Sequence, residues 1–156
     1  MRVREKMANR QVISREDHSR FVDSLARRAD SRYFLFSVDG VPAGVLDFTH
    51  IDPLAKTCEP GMYVGDERFL GMGIPVCCCA LAYAFDKLNC ERLTGTIRKD
   101  NPVSYQLGKR IFGAVDTGET EEMRLVEFRR GWWNSHRRSL VGRLRENYGI
   151  EEIVWP

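Results

Sequence analysis

The stretch Tyr63-Val-Gly-Asp-Glu-Arg68-Phe-Leu-Gly71-Met-Gly73-Ile-Pro-Val-Cys-Cys-Cys-Ala-Leu-Ala-Tyr-Ala-Phe85 decides the fold. It starts on strand-forming residues and crosses a loop with two glycines. Ile74, Cys77, Cys78, Leu81, Phe85 and Leu88 then recur at spacings of three and four, the period of an amphipathic helix. A strand, a glycine loop and a helix in that order let main chain approach a ligand closely, and the N–H groups opening the helix suit an anion such as a pyrophosphate. The alternative is a plain strand-to-helix turn that uses glycine for its geometry. The loop is neither G-x-x-x-x-G-K-[ST] nor G-x-G-x-x-G, so the Walker and dinucleotide fingerprints fail. What remains is Arg68-x-x-Gly71-x-Gly73.

Working outward, Ser14 with Asp17 resembles a capping box, and Phe21, Val22 and Leu25 give the apolar face of a helix expected over 15–28. Residues 32–38 are rich in strand formers, Asp39-Gly40 is a hairpin turn, and 41–48 continue as a second antiparallel strand. Residues 59–64 form another strand, in which Pro60 and Gly61 predict a bulge or interrupted ladder. Beyond the central helix, 92–97 read as a strand, and Asn101 caps a helix with Pro102 at its first position that reaches Arg110. Residues 115–129 and 131–136 are expected as two closing strands, with 137–156 a mixed tail. The order predicts an α/β layer around a mixed sheet.

The 156 residues suffice for one domain, expected to span 1–156, and 43% hydrophobic with 29% charged residues are globular proportions. Lys and Arg total 24 against 22 Asp and Glu, so a net charge of +2 gives no general field for nucleic acid or membrane. The start, MRVREKMANRQ, lacks the apolar stretch of a secretory signal, and the nearly apolar run 74–85 is too short to span a bilayer. A cytoplasmic protein is expected. Five cysteines are an odd number for a disulfide framework. Cys77, Cys78 and Cys79 cannot converge on one ion from a helix, where consecutive residues lie about 100° apart, so they read as core filler and no metal is expected.

The loop Arg68, Gly71, Gly73 resembles the [QR]-x-x-G-x-[GA] acetyl-CoA loop of the GNAT acetyltransferases, and the likeness covers most of the chain. Gly61-Met-Tyr-Val64 before the loop and Asn101-Pro-Val-Ser104 after the next strand also lie where that family has them. The resemblance implies a GNAT-like, mostly antiparallel sheet flanked by helices. Acetyl-CoA is then the cosubstrate, held by Tyr63, Val64, Arg68, Phe69, Leu70, Gly71, Met72, Gly73, Ile74, Asn101 and Ser104. Tyr33-Phe-Leu-Phe, Gly44-Val-Leu-Asp-Phe, Gly61-Met-Tyr, Ala82-Tyr-Ala-Phe and Lys99-Asp-Asn101 look more closely like the UDP-4-amino-sugar N-acetyltransferases of the pseudaminic acid pathway. That likeness implies a nucleotide-sugar acceptor touching His18, Thr49, His50 and Tyr63, with a homodimer compatible. Enzymes that acetylate ribosomal-protein N-termini share much of the pattern.

Attack of an amine on a thioester needs a proton acceptor and a donor for the developing oxyanion. Glu59 is the candidate base, directly or through water, against the alternative of a solvated strand carboxylate; the resemblance assigns the oxyanion donor to the Val64 N–H. Two departures stand out. Relatives begin with a further strand and helix carrying an Arg-Asn element before the segment matching Val3 to Met7, so the start is shortened or a contact is lost. Where many relatives have a tyrosine near the sulfur this chain has Gly108, which leaves Tyr105 as the substitute acid or none. Arg129-Arg-Gly-Trp-Trp-Asn-Ser-His-Arg-Arg138 offers a competing nucleic-acid reading, against that of a closing strand and a solvated basic tail. A catalytically weak GNAT fold used as an interaction domain is the third.

Overall fold

Residues 11–150 are described by the computed structural model. Ser14 accepts a hydrogen bond from the Asp17 amide and starts helix α1 (Arg15–Leu25), three residues shorter than expected because the chain turns at Ala26. Strands β1 (Arg32–Val38) and β2 (Val41–Asp52) form the expected hairpin through Asp39 and Gly40, both at positive φ. β2 runs four residues past Phe48 before an Asp52-centred turn, where the Asp52 carboxylate accepts from the amides of Leu54 and Ala55. Strand β3 (Thr57–Val64) pairs antiparallel with β2.

A short 3-10 stretch, Glu67–Met72, leads into α2 (Gly73–Ala82), which continues as a π turn, Tyr83–Lys87. Joined in this way, Glu67–Lys87 is long and apolar enough to cross a membrane by length and composition, unlike the shorter run read from sequence. Its Pro75, Val76, Cys78, Ala80, Leu81, Ala84 and Phe85 are instead buried in the protein. Strand β4 (Arg92–Arg98), helix α3 (Pro102–Ile111), and strands β5 (Val115–Glu119) and β6 (Met123–Arg129) follow. The described strands make one sheet in the order β1-β2-β3-β4-β6-β5, antiparallel except between β3 and β4. This is the mixed, mostly antiparallel sheet expected of the family. The expected shortening before Val3 to Met7 lies outside the described residues.

Two closing elements differ from the sequence reading. Residues 115–129 are not one strand but the hairpin β5–β6, and 131–136 are not a strand at all: Arg130–Tyr148 is one helix, α4, which also takes up most of the expected mixed tail. Trp132 and Trp133 favour strands locally. However, Trp133, Leu140 and Leu144 lie at helical spacing and are all buried, and Gly149 ends the helix in the left-handed conformation. Tertiary burial of that stripe outweighs local preference, at about 1.5–3 kcal/mol per fully buried large side chain. Trp133 faces Phe85 with ring centroids 6.4 Å apart. Trp132 stacks on His136, while Arg137, Arg138 and Arg145 stay exposed.

The core lies between one face of the sheet and helices α2 and α4. Phe48, Leu46, Cys58 and Leu93 from the strands meet Cys78, Leu81, Ala84, Phe85 and Leu144. Cys58, Cys78 and Cys90 are buried and serve as small filler, and all five cysteines are free. The other face of β2 and β3 carries Val45, Asp47 and Thr49 opposite Tyr63, Gly61 and Glu59.

Candidate active site

The site is built where two parallel strands part. β3 and β4 pair only at Thr57–Arg92 and Cys58–Leu93; β4 stays paired with β6 on its other edge from Arg92 to Arg98, and the rest of β3 has no ladder partner on the side toward β4. The Gly65 N–H donates to the Ala43 carbonyl at 2.8 Å. Since hydrogen-bonded and non-bonded pairs alternate along an antiparallel ladder, this register bonds Tyr63, Gly61 and Glu59 to β2. The amides of Met62 and Val64 then point to the open edge. Pro60 falls on the same edge, so its missing N–H costs β3 no ladder bond. The interruption expected from Pro60 and Gly61 is therefore in the β3–β4 pairing rather than a bulge at those residues.

A cavity of about 160 Å³ occupies the opening. Leu46, Met62, Cys77 and Leu81 line one side, Ser104, Leu107 and Gly108 the other, and Gly61 and Thr96 lie on the diverging strands. The Cys77 thiol lies 3.9 Å from the Met62 sulfur, and burial among apolar neighbours pushes it up out of the range in which a thiolate forms. It shapes the wall and is not poised as a nucleophile. Among the described residues no group of three or more His, Cys, Asp or Glu converges as metal ligands.

Below the opening, Asp66 caps the 3-10 turn by accepting from the Arg68 amide, and its carboxylate grips the Arg68 guanidinium at 2.6 Å. Arg68 beside it holds the Asp66 carboxyl down at about 2. Met72, which precedes α2, offers no side-chain cap, so the amides opening that helix have no side-chain acceptor. A methyl at Gly71 would meet nothing within 4 Å, and one at Gly73 only Leu107 Cδ2 at 3.9 Å. Neither glycine has positive φ. The fold itself has room for side chains at both positions, so their bareness fits a loop that a pyrophosphate would approach. Phe69, Leu70 and Ile74 frame the loop, and Asn101 and Ser104 open α3 beside the cavity, with the Ser104 amide donating to Asn101 Oδ1.

The acceptor residues expected from sequence are only partly brought together. Thr49 donates to the Glu59 carbonyl at 3.4 Å, and His50 Nδ1 lies 3.4 Å from Glu59 Oε2. Thr96 donates to Glu59 Oε1 at 3.3 Å, so Glu59, with its side chain 31% exposed, has contacts on both sides of the opening. Tyr63 is half-buried on the same face as Glu59 and Asp47. His18 is exposed on α1, and none of the described contacts joins it to Thr49 or His50. Tyr105 is turned elsewhere: its hydroxyl donates to Asp116 at 3.0 Å, Arg124 lies over its ring, and it does not line the cavity. Gly108 packs toward Ala114 and Phe128.

Sequence reasoning gave no role to Asp47 and Thr96. Asp47 is half-buried opposite Gly61, and burial, with repulsion from Glu59, raises its pKa to about 6. Its signal was the polar residue within Gly44-Val-Leu-Asp-Phe, a strand otherwise apolar at that point.

No family model and no curated protein matches the sequence. Solved structures do match. The Campylobacter jejuni N-acetyltransferase PseH is 27% identical over 74% of this chain and 79% of that chain, with a TM-score of 0.68, and its structure in complex with acetyl coenzyme A matches equally. The Vibrio cholerae spermidine N-acetyltransferase in complex with CoA and spermine is similar in fold, at 15% identity over 79% of each chain and a TM-score of 0.71. With its parted strands and glycine loop, the chain has the fold of the GNAT N-acetyltransferases and resembles PseH.

Proposed function

We propose that this protein moves an acetyl group from acetyl-CoA to the 4-amino group of a UDP-linked 4-amino-4,6-dideoxy sugar. The observation that carries the reading is the opening between β3 and β4, with a cavity on the α2–α3 side and polar residues on the opposite face. The pyrophosphate of acetyl-CoA rests on the amides of Phe69 to Ile74. Its pantetheine arm pairs with the free edge of β3, and Asn101 and Ser104 flank it. When bound, acetyl-CoA supplies an activated thioester. The Val64 N–H faces the open edge and donates to the oxygen on which charge develops. The amine enters from the opposite face, where Glu59, Thr49, His50 and Tyr63 surround it and a carboxylate takes its proton. His18, at the start of α1, reaches the nucleotide.

The motif likeness of Tyr33-Phe-Leu-Phe, Gly44-Val-Leu-Asp-Phe and Gly61-Met-Tyr to the UDP-4-amino-sugar N-acetyltransferases supports a sugar over other amines. His50 is exposed, lies in β2 at the register shift after Thr49 with a left-handed backbone, and offers a ring N–H to a diphosphate. His50→Ala is expected to raise the KM for the sugar about tenfold or more and to leave acetyl-CoA affinity within about twofold, since it removes a contact to one substrate only. Indifference of the sugar KM to that substitution would contradict the reading.

A further inference from the structure

The face of the sheet turned to the acceptor carries a second carboxylate, and its position relative to the opening is unusual. Asp47 lies directly across from Gly61, and a methyl built on Gly61 would come within 2.7 Å of Asp47 Oδ1 and 2.9 Å of Oδ2. Gly61 is thus bare where the carboxylate crosses it, and Gly61 also lines the cavity where β3 and β4 part. One residue therefore separates Asp47 from the space assigned to the thioester. Glu59 reaches the same space through Thr96, which also lines the cavity.

The two carboxylates differ in their partners. Glu59 has His50 at 3.4 Å and the Thr96 hydroxyl at 3.3 Å. None of the described residues donates a hydrogen bond to Asp47. The titratable groups on the face of Asp47 are Tyr33 from β1, opposite it in register, and Glu59 and Tyr63 from β3, on either side of Gly61; His50 lies beyond Glu59, and the Arg28–Asp30 pair lies near Tyr33. No cation among them neutralises Asp47. A half-buried carboxylate with free lone pairs, beside a compensated one, is poised to take a proton rather than to hold a permanent ion pair.

We infer that Asp47 is the proton acceptor of the transfer reaction and that Glu59 holds the incoming ammonium beside it. This rests on the acetyltransferase reading above. An N–H bond of the ammonium breaks and its proton passes to Asp47. The freed lone pair forms the C–N bond to the thioester carbonyl carbon, and the C–S bond breaks to release CoA thiolate. The nitrogen's surplus proton goes to the thiolate through water, and Asp47 returns its proton to solvent. Ammonium and acetyl-CoA thus give amide, CoA thiol and one proton. Burial and the nearby Glu59 charge bring Asp47 to about 6, close to the pH at which a base works best.

The test compares Asp47→Asn and Glu59→Gln with the unaltered protein on whichever amine of a panel (UDP-amino sugars, spermidine, N-terminal peptides) it acetylates fastest, with CoA binding followed by calorimetry. Asp47→Asn is expected to lower kcat by a hundredfold or more and to abolish the rise of kcat/KM with pH near 6, while CoA affinity stays within about twofold. Glu59→Gln is expected to raise the amine KM more than it lowers kcat and to keep that rise. Gly61→Ala, which pushes the Asp47 carboxylate aside, is a second variant should Asp47→Asn fail to fold, and is expected to reduce kcat at least tenfold. A kcat of Asp47→Asn within about threefold of the unaltered protein, or an unchanged pH profile, overturns the role of Asp47. Transfer to a polyamine or peptide alone overturns the sugar reading and leaves the same comparison to decide Asp47. If no amine is acetylated, both fall.

Discussion

Replacing Asp47 with Asn is expected to make the protein more stable at neutral pH, the reverse of the usual effect of changing a half-buried residue. Burial first, and repulsion from Glu59 second, raise the Asp47 pKa from 3.8 to about 6. Between those values the native chain binds more protons than the unfolded chain. The favourable contribution of the protonated group is therefore fully present below 3.8 and is lost as pH rises through about 6. At about 1.4 kcal/mol per pH unit, the difference between 3.8 and about 6 corresponds to about 3 kcal/mol, an upper figure because Asp47 keeps some access to water. Asparagine keeps the shape and removes the charge. Urea denaturation of both proteins from about pH 4 to about pH 8 reads the effect directly. The stability of Asp47→Asn relative to the unaltered protein should grow by about 2–3 kcal/mol across that range and level off above pH 7. A difference that stays flat with pH would refute the idea that Asp47 is held in the fold at the expense of stability.

Two further substitutions separate cosubstrate binding from folding and from proton transfer. Gly73→Val should weaken CoA binding by calorimetry at least tenfold with little change in thermal midpoint, because a methyl there meets only Leu107 at an ordinary contact distance; unchanged affinity in the folded variant would remove the loop from the site. Tyr105→Phe should leave kcat within about threefold, since the hydroxyl is bonded to Asp116 and lies outside the cavity lining; a hundredfold loss would make Tyr105 the acid that protonates the thiolate.

The strand, glycine loop and helix around Arg68–Gly73 were legible because each rests on local rules: strand formers, bare residues in a loop, and apolar spacing of three and four. The hairpin through Asp39-Gly40 and the cap at Asn101 followed from turn and cap chemistry. Helix α4 was missed because its deciding evidence is tertiary. Arg130–Tyr148 contains adjacent indoles that favour a strand, and only burial of Trp133, Leu140 and Leu144 against the core fixes the helix. The candidate site was half legible for the same reason. Residues within a motif, such as Gly71, Gly73 and Ser104, can be read in order along the chain. The nearness of Asp47 to Gly61, and of Thr96 to Glu59, depends on cross-strand register and on β4 leaving β3 after Leu93. Tyr105 shares a helix with cavity residues, but that helix turns it to Asp116, which spacing alone did not reveal.

The most direct measurement is mass spectrometry of the products formed when acetyl-CoA is mixed with the protein and three competing acceptors: a UDP-linked 4-amino-4,6-dideoxy sugar, spermidine, and a peptide with a free N-terminus. The expected result is a single acetyl group on the 4-amino group of the sugar, with CoA released in equal amount and the other two acceptors unchanged. Acetylation of the peptide or the polyamine at an equal or higher kcat/KM, or no acetyl transfer to any amine, would contradict it.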